Sequence, residues 1–374
     1  MDFINEEFCE FDNDASASSF GWNFQSNAGI FLFLHYIKDA ESIKIESKLQ
    51  DIEIKMKNGN KVLAQAKSSQ DYSIAKNKKE KFKDAIISFA KFSDANNKLI
   101  YISNIPDMLN TANDVFNNKI VSYESCLSST KNEINEIFES TLNSIDKKIK
   151  KETDSKKLNR LKRVKSNVEN IDKTRLYISV IYPFYGDEEN RYTIIGDKIL
   201  SFLVDDIKLS RDNAISIKQR LLEHWQLKFQ HNSTEPDAGI EKTISKTEFA
   251  WPITVFLTDE ITPDIDDCLS FVPDIALKKE VESFMRNVNM IHHERFEFAN
   301  KVIQSYAEYK KTKPAGTKEI EKLFVKECGK EFYNEFKFDD NEEKTEYLTK
   351  LFVYRIITNN ININKISSNI GVEL

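Results

Sequence analysis

No stretch of the 374 residues is apolar for long enough to cross a membrane, which takes roughly 20 consecutive apolar positions. The opening residues, Met1-Asp2-Phe3-Ile4-Asn5-Glu6-Glu7, are acidic where a secretory signal would be basic. Four cysteines, Cys9, Cys126, Cys268 and Cys328, lie far apart, with no C-x-x-C pair and no histidine pattern beside them. A disulfide framework and a zinc site are therefore not indicated. Positive charge is not in excess either: 54 Lys and Arg against 60 Asp and Glu leave a net charge of -6, unlike a protein that coats nucleic acid indiscriminately. The C-terminal half has no glycine-rich phosphate cradle. These absences predict a cytoplasmic chain without membrane contact, and its length predicts two domains.

What is present centres on residues 43–67. Ile43-Lys44-Ile45-Glu46, Asp51-Ile52-Glu53-Ile54-Lys55-Met56 and Val62-Leu63-Ala64-Gln65-Ala66-Lys67 alternate with the period of β-strands. Asn58-Gly59 between the last two signals a hairpin. A two-residue turn would mix the apolar faces. A three-residue loop, Lys57-Asn58-Gly59 with Gly59 left-handed, instead sets Asp51 across from Gln65, Ile52 across from Ala64 and Ile54 across from Val62. That register gathers Asp51, Glu53, Gln65 and Lys67 on one face. Carboxylate and carbonyl oxygens suit Mg²⁺ or Mn²⁺, and a nearby ammonium can orient an attacking water, which outlines metal-assisted phosphodiester hydrolysis. An antiparallel strand pair with one solvated face would show the same residue types.

Asp51 followed by Gln65-Ala66-Lys67 on the next strand resembles the D…(E/Q)xK signature of the restriction-endonuclease-like, or PD-(D/E)xK, superfamily. Gly21-Trp22-Asn23-Phe24-Gln25 at the head of an apolar helix resembles the G-x-x-[FY]-[QE] element of its Mrr-like branch and of antiphage effectors, and Glu46 before Asp51-Ile52 is similar to the E…DI run found there. The likeness covers residues 15 to 105 and is strongest to the nuclease domain of Lamassu and other ABC three-component effectors. It implies Asp51 as the main metal ligand, Gln65 and the Ala66 carbonyl as further ligands, Lys67 as the residue that positions water, and Gln25 beside the site. Gln65 stands where Glu is commoner and removes one negative charge, a deficit that Glu53 or Glu46 would have to make up. The resemblance also implies double-stranded DNA as substrate, Mg²⁺ or Mn²⁺ as cofactor, and partnership with an SMC-like ABC ATPase and a small accessory subunit that restrain the nuclease, whose release would permit homo-oligomerisation.

The expected architecture is α/β, a restriction-endonuclease-like αβββαβ core with a helical insertion, joined to an α-helical C-terminal domain. Residues 1–19 read as a leader. A buried helix is expected from Phe24 to Asp39, with His35 a core or partly exposed histidine. A charged helix follows over Lys76 to Phe92, whose Lys76, Lys78, Lys79 and Lys81 are candidates either for phosphate contact or for a solvated face, then a strand over Leu99 to Ser103. Within the insertion, residues 107–173, ten Lys or Arg between Lys147 and Lys165 mark a helical hairpin breaking near Thr153-Asp154-Ser155. It would either clamp DNA or be solvated. A strand over Arg175 to Phe184 and helices around Asp197 to Val204 and Ser210 to Phe229 complete a nuclease domain of residues 1–230, with a linker at 231–245. In the assembly or regulatory domain, 246–374, Trp251 to Leu257 reads as an extended docking segment. Helices are expected over Ile275 to Lys311, Thr317 to Phe338 and Lys344 to Thr358. His292-His293-Glu294-Arg295 reads as helix face, because adjacent residues do not share one. The expected function is a metal-dependent DNA endonuclease effector of bacterial antiphage or antiplasmid defence. The alternatives are a cyclic-nucleotide-gated CBASS-type nuclease and a non-catalytic DNA-binding or scaffold subunit.

Overall fold

The computed structural model describes residues 19–46, 50–69, 78–93, 96–105, 109, 116–184, 188–234, 243–260, 265–281, 283, 295–314, 317, 319–336 and 341–372. The chain divides into two compact units, residues 1–198 with 225–244 and residues 199–224 with 245–374. The leader expected at 1–19, except Ser19, which begins the first helix, and most of the linker expected at 231–245 lie outside the described residues.

The first unit is mixed α/β. It opens with α1 (Ser19–Tyr36), an antiparallel meander of β1 (Ala40–Ile45), β2 (Ile52–Met56) and β3 (Lys61–Lys67), then α2 (Lys78–Phe89) and β4 (Lys98–Ser103). β4 lies parallel to β3, and β6 (Leu176–Val180) parallel to β4. β5 (Ile120–Ser122) was not foreseen and pairs antiparallel with β6. With β7 (Ile244–Ser245), the sheet order is β5-β6-β4-β3-β2-β1-β7.

The β2–β3 hairpin adopts the register that the apolar pattern asks for: Ile52 faces Ala64 and Ile54 faces Val62. Gly59 is left-handed at φ 82°. The turn closes through Gly59 N–H on the Met56 carbonyl and Met56 N–H on the Asn60 carbonyl, both 2.9 Å. Carried across the sheet, this register puts Ile43, Ile45, Ile52, Ile54, Val62, Ala64, Ala66, Ile100 and Ile102 on one face. α1 covers it, and Gly29 permits the approach, since a Cβ there would stand 3.7 Å from Ile43 Cδ1 and closer still to Ile45 Cδ1. An all-round apolar helix is what such a buried position requires.

The other face, with Leu63, Leu99, Tyr101, Leu176, Ile178 and Val180, is not solvated. It packs on Phe82, Ala85, Ile86 and Phe89 of α2, and in the same cluster lie Ile134, Ile137, Phe138 and Ile145 of α3 (Ser128–Lys151) with Val164 and Val168 of α4 (Ser155–Glu169). The expected helical hairpin is therefore present, broken at 152–154, but its apolar stripe belongs to this core and does not project from it. Asp154 caps α4 by accepting Lys156 N–H at 2.8 Å and Lys157 N–H at 3.0 Å, and these bonds hold its carboxyl below the usual range. Lys147, Lys148, Lys150, Lys151, Lys156, Lys157, Lys162 and Arg163 are exposed on the outer side.

α5 (Glu188–Ser201), continued by a π-turn at Phe202–Asp206, and α6 (Arg211–Thr234) follow. In the second unit Trp251 to Leu257 corrects the expectation. The run is not extended but lies inside α7 (Lys246–Glu260) with Pro252 in its interior. A short apolar run has no period of its own, so its ends decide. Here Ser245 and Glu248 form a reciprocal capping box, Glu248 N–H on Ser245 Oγ at 3.1 Å and Ser245 N–H on Glu248 Oε2 at 2.8 Å. Downstream are α8 (Arg295–Thr312), α9 (Ile320–Cys328), α10 (Glu342–Thr358) and α11 (Asn360–Ile370). The helix expected over Thr317 to Phe338 is half that length, tightening into a 3-10 turn over Gly329–Phe336. At its start a Cβ on Gly329 would meet the Lys350 stem at 3.1 Å. His292, His293 and Glu294 lie outside the described residues, as do Phe284, Val288 and Ile291 of the helix expected over Ile275 to Lys311. Phe298, within that range, stacks on Phe352 with ring centroids 5.7 Å apart. His35 is exposed, its ring edge-on to Tyr36.

Candidate active site

Because β3, β4 and β6 are parallel, their carboxyl ends meet at one edge of the sheet, where ligands dock in open α/β sheets. β2 runs antiparallel to β3, so the residue that enters β2 also arrives at this edge. That residue is Asp51. Its Oδ2 accepts Ala66 N–H at 2.9 Å and Lys67 Nζ at 3.3 Å, and its Oδ1 accepts Gln65 Nε2 at 3.3 Å. Asp51 is gripped by three consecutive residues of β3. Gln65 is 5 % exposed, whereas the Lys67 and Asp51 side chains remain partly open, at 27 % and 15 %.

Of the residues predicted for the site, four converge: Asp51, Gln65, Ala66 and Lys67. Glu53 shares their sheet face but points toward the hairpin, where it pairs with Lys61 at 2.5 Å. Glu46 is exposed, with φ 52°, and its N–H closes the loop by donating to the Asp51 carbonyl at 2.8 Å. Gln25 stands on α1, which covers the opposite face, and its amide oxygen is buried without a hydrogen-bond partner among the described residues. Glu53, engaged with Lys61, therefore does not make up the charge that Gln65 lacks.

Four participants were not foreseen or were read differently. Gln50, 3 % exposed, donates from Nε2 to the Ser88 carbonyl of α2 at 3.1 Å, and its Oε1 accepts Ser88 Oγ–H at 3.3 Å and Gln65 Nε2. A backbone carbonyl can only accept, so it fixes the Gln50 NH₂ on the Ser88 carbonyl and leaves Oε1 to accept. That in turn makes Gln65 present its NH₂ to both Gln50 and Asp51. Asn104, fully buried, accepts Ser69 N–H at 2.9 Å and donates to the Ser69 and Phe184 carbonyls at 2.8 and 3.0 Å. It ties the chain just past Lys67 to the end of β4.

The α2 lysines are mostly committed within the protein. Lys79 pairs with Glu133 at 2.5 Å, and Lys81 donates to the Ser68 carbonyl. Lys76 lies outside the described residues. Burial, and then the charge of Lys67, push the Lys81 ammonium below its ordinary value. Asp84 of α2 faces solvent, yet the protein around it displaces enough water to push its carboxyl up against the pull of Lys67. It is the acid that α2 brings within the field of Lys67. Nothing in the helical pattern of residues 78–89 marks Asp84 or Ser88, since their importance comes from the strand beneath them.

The donor set fits a hard divalent cation. In a strand the N–H and C=O of one residue point to the same side, so the Ala66 carbonyl shares the side on which its N–H meets Asp51. Asp51 and the Ala66 carbonyl would hold Mg²⁺ or Mn²⁺, whereas Gln65, its NH₂ turned to Gln50 and Asp51, would offer its oxygen only with the amide flipped. Among the described residues no group of three or more His, Cys, Asp or Glu is placed to hold a metal. The cation would thus rest on one carboxylate and neutral oxygens. Comparison of the chain with protein-family models, curated proteins and solved structures found no match.

Proposed function

We propose that the chain is a Mg²⁺- or Mn²⁺-dependent endonuclease of the restriction-endonuclease-like class, cutting double-stranded DNA as an effector of bacterial defence. In this reading it is held inactive by an SMC-like ABC ATPase and a small accessory subunit until triggered. The observation that carries the reading is the Asp51 carboxylate seated against the Ala66 N–H and Lys67 ammonium at the carboxyl end of β3. The element order α1-β1-β2-β3-α2-β4 around it supports the same class. A bound cation would supply charge stabilisation to the phosphoryl oxygens. Asp51 and the Ala66 carbonyl would hold the cation, the Lys67 ammonium would orient the attacking water, whose proton would pass to solvent as the cation acidifies it, and Gln50 and Asn104 would fix the strand ends. The exposed basic side of α3 and α4 supplies phosphate contacts that weaken with salt.

The test is cleavage of plasmid and linear duplex with Mg²⁺ or Mn²⁺, against EDTA and Lys67→Ala, by the chain alone and with its partner subunits. Metal-dependent cutting lost in the variant is the expected result. The non-catalytic DNA-binding reading draws on one feature, that each Asp51 oxygen already accepts an internal donor. It takes over if no preparation cuts and Lys67→Ala leaves defence intact.

A further inference from the structure

A second feature lies at the other end of β3. From Lys61 to Lys67 the strand advances about 20 Å, and at its hairpin end is a cavity of ≈ 430 Å³. Its walls are rich in donors. Lys57, Lys61, Lys98 and Arg175 line it against one acid, Asp39, in a chain of net charge -6. Lys61 pairs with Glu53 at 2.5 Å. Arg175 donates to the Phe92 and Ser93 carbonyls at 3.4 and 2.6 Å, which anchors the guanidinium, and its charge acts on the Asp172 carboxylate nearby. Lys98 is held over the Tyr36 and Tyr177 rings, 5.1 and 5.4 Å from their centroids, with no ion pair among the described residues.

The amides point the same way. Asn97 Oδ1 accepts Lys61 N–H and Asn58 Oδ1 accepts Asn60 N–H, both at 3.0 Å. A backbone N–H can only donate, so it fixes each oxygen on the main chain and leaves each Nδ2 as the group available to a ligand. Lys57 and Lys98, with no ion pair among the described residues, the anchored Arg175 guanidinium and amides with their oxygens held on the main chain match an anion with several acceptor oxygens. The volume falls among those of small-molecule sites, about 300–1,000 Å³, and is too small to admit a duplex. We infer that this cavity binds a small phosphate-bearing anion. The inference is independent of the Asp51 site and of the nuclease reading.

Calorimetry on the full chain in EDTA keeps the two ends separate. The probes are inorganic pyrophosphate, AMP and uncharged adenosine. Asn97→Asp is the informative variant: it keeps the oxygen that accepts Lys61 N–H but replaces the donor by a second carboxylate oxygen. Lys57→Gln removes an exposed charge. The expected result is saturable binding of pyrophosphate or AMP but not adenosine, weakened at least about tenfold by Asn97→Asp, a few-fold by Lys57→Gln and progressively by salt, and unchanged by Asp51→Asn. AMP binding more tightly than pyrophosphate would identify a nucleotide, and the reverse an inorganic or sugar phosphate. Three results overturn the inference: no binding of either anion at millimolar concentration, equal binding by a well-folded Asn97→Asp chain, or binding of duplex DNA alone that tracks the same variants.

Discussion

The two ends of β3 are chemical inverses on one seven-residue strand. At Gln65–Lys67 an acid, Asp51, is surrounded by donors from the strand. At Lys61 the surroundings are cations and amide donors, and the acid that reaches the strand, Glu53, is spent on Lys61 itself. The difference teaches that strand direction, more than residue type, distributes chemistry here. Glu53 and Asp51 are two residues apart on one face, yet Glu53 stands across from Leu63 at mid-strand and reaches back to Lys61, and only Asp51 arrives where parallel strands terminate together.

Substitutions can break that contrast one end at a time. Asp51→Ala should cost most, lowering metal-dependent cleavage by more than about 100-fold, beyond the 10- to 100-fold typical of residues that only support metal ligands. Pyrophosphate binding measured on the same preparation should stay constant. Gln50→Leu should lower cleavage about tenfold by freeing the Gln65 amide. A shift and faster exchange of the Gln65 side-chain NH₂ resonances, with Asp51 and Lys67 unchanged, would mark the effect as one of positioning. If those resonances do not move, Gln50 is packing alone. Gly59→Ala should be smallest. A Cβ there meets nothing within 4 Å, so the cost is that of the left-handed backbone alone, about 1 kcal/mol, read from urea unfolding. Loss of hairpin order should then weaken the anion site while cleavage changes little.

Much of the first end was legible. Asp51, Gln65 and Lys67 converge because the alternation of apolar residues allows one hairpin register, and register alone brings positions fourteen and sixteen residues apart within reach. Gln50, Ser88 and Asp84 were not legible, since a lone buried amide or a helix-face acid has no period. The role of each depends on how α2 lies across the sheet. The α3–α4 hairpin was read correctly in its break but not in its setting: helical spacing shows that Leu161, Val164 and Val168 need a partner and cannot show that the partner is the sheet.

The segment Trp251–Leu257 separates what was misread from what was unreadable. Its helical state was encoded locally, in Ser245-Lys246-Thr247-Glu248, a capping signal whose reciprocal bonds form as that pattern requires. Local pattern by itself determined the strands, the turn at Gly59, the helix caps and the convergence of Asp51 with Lys67, because each depends on residues joined by a short loop or by one hairpin. The burial of Gln50, the inward turn of Lys81, the coverage of the polar sheet face and the donor-lined cavity at Lys57, Asn97, Lys98 and Arg175 were decided only by tertiary structure. They require strands and helices distant in sequence to share one surface, and no period within a segment records which surface that is.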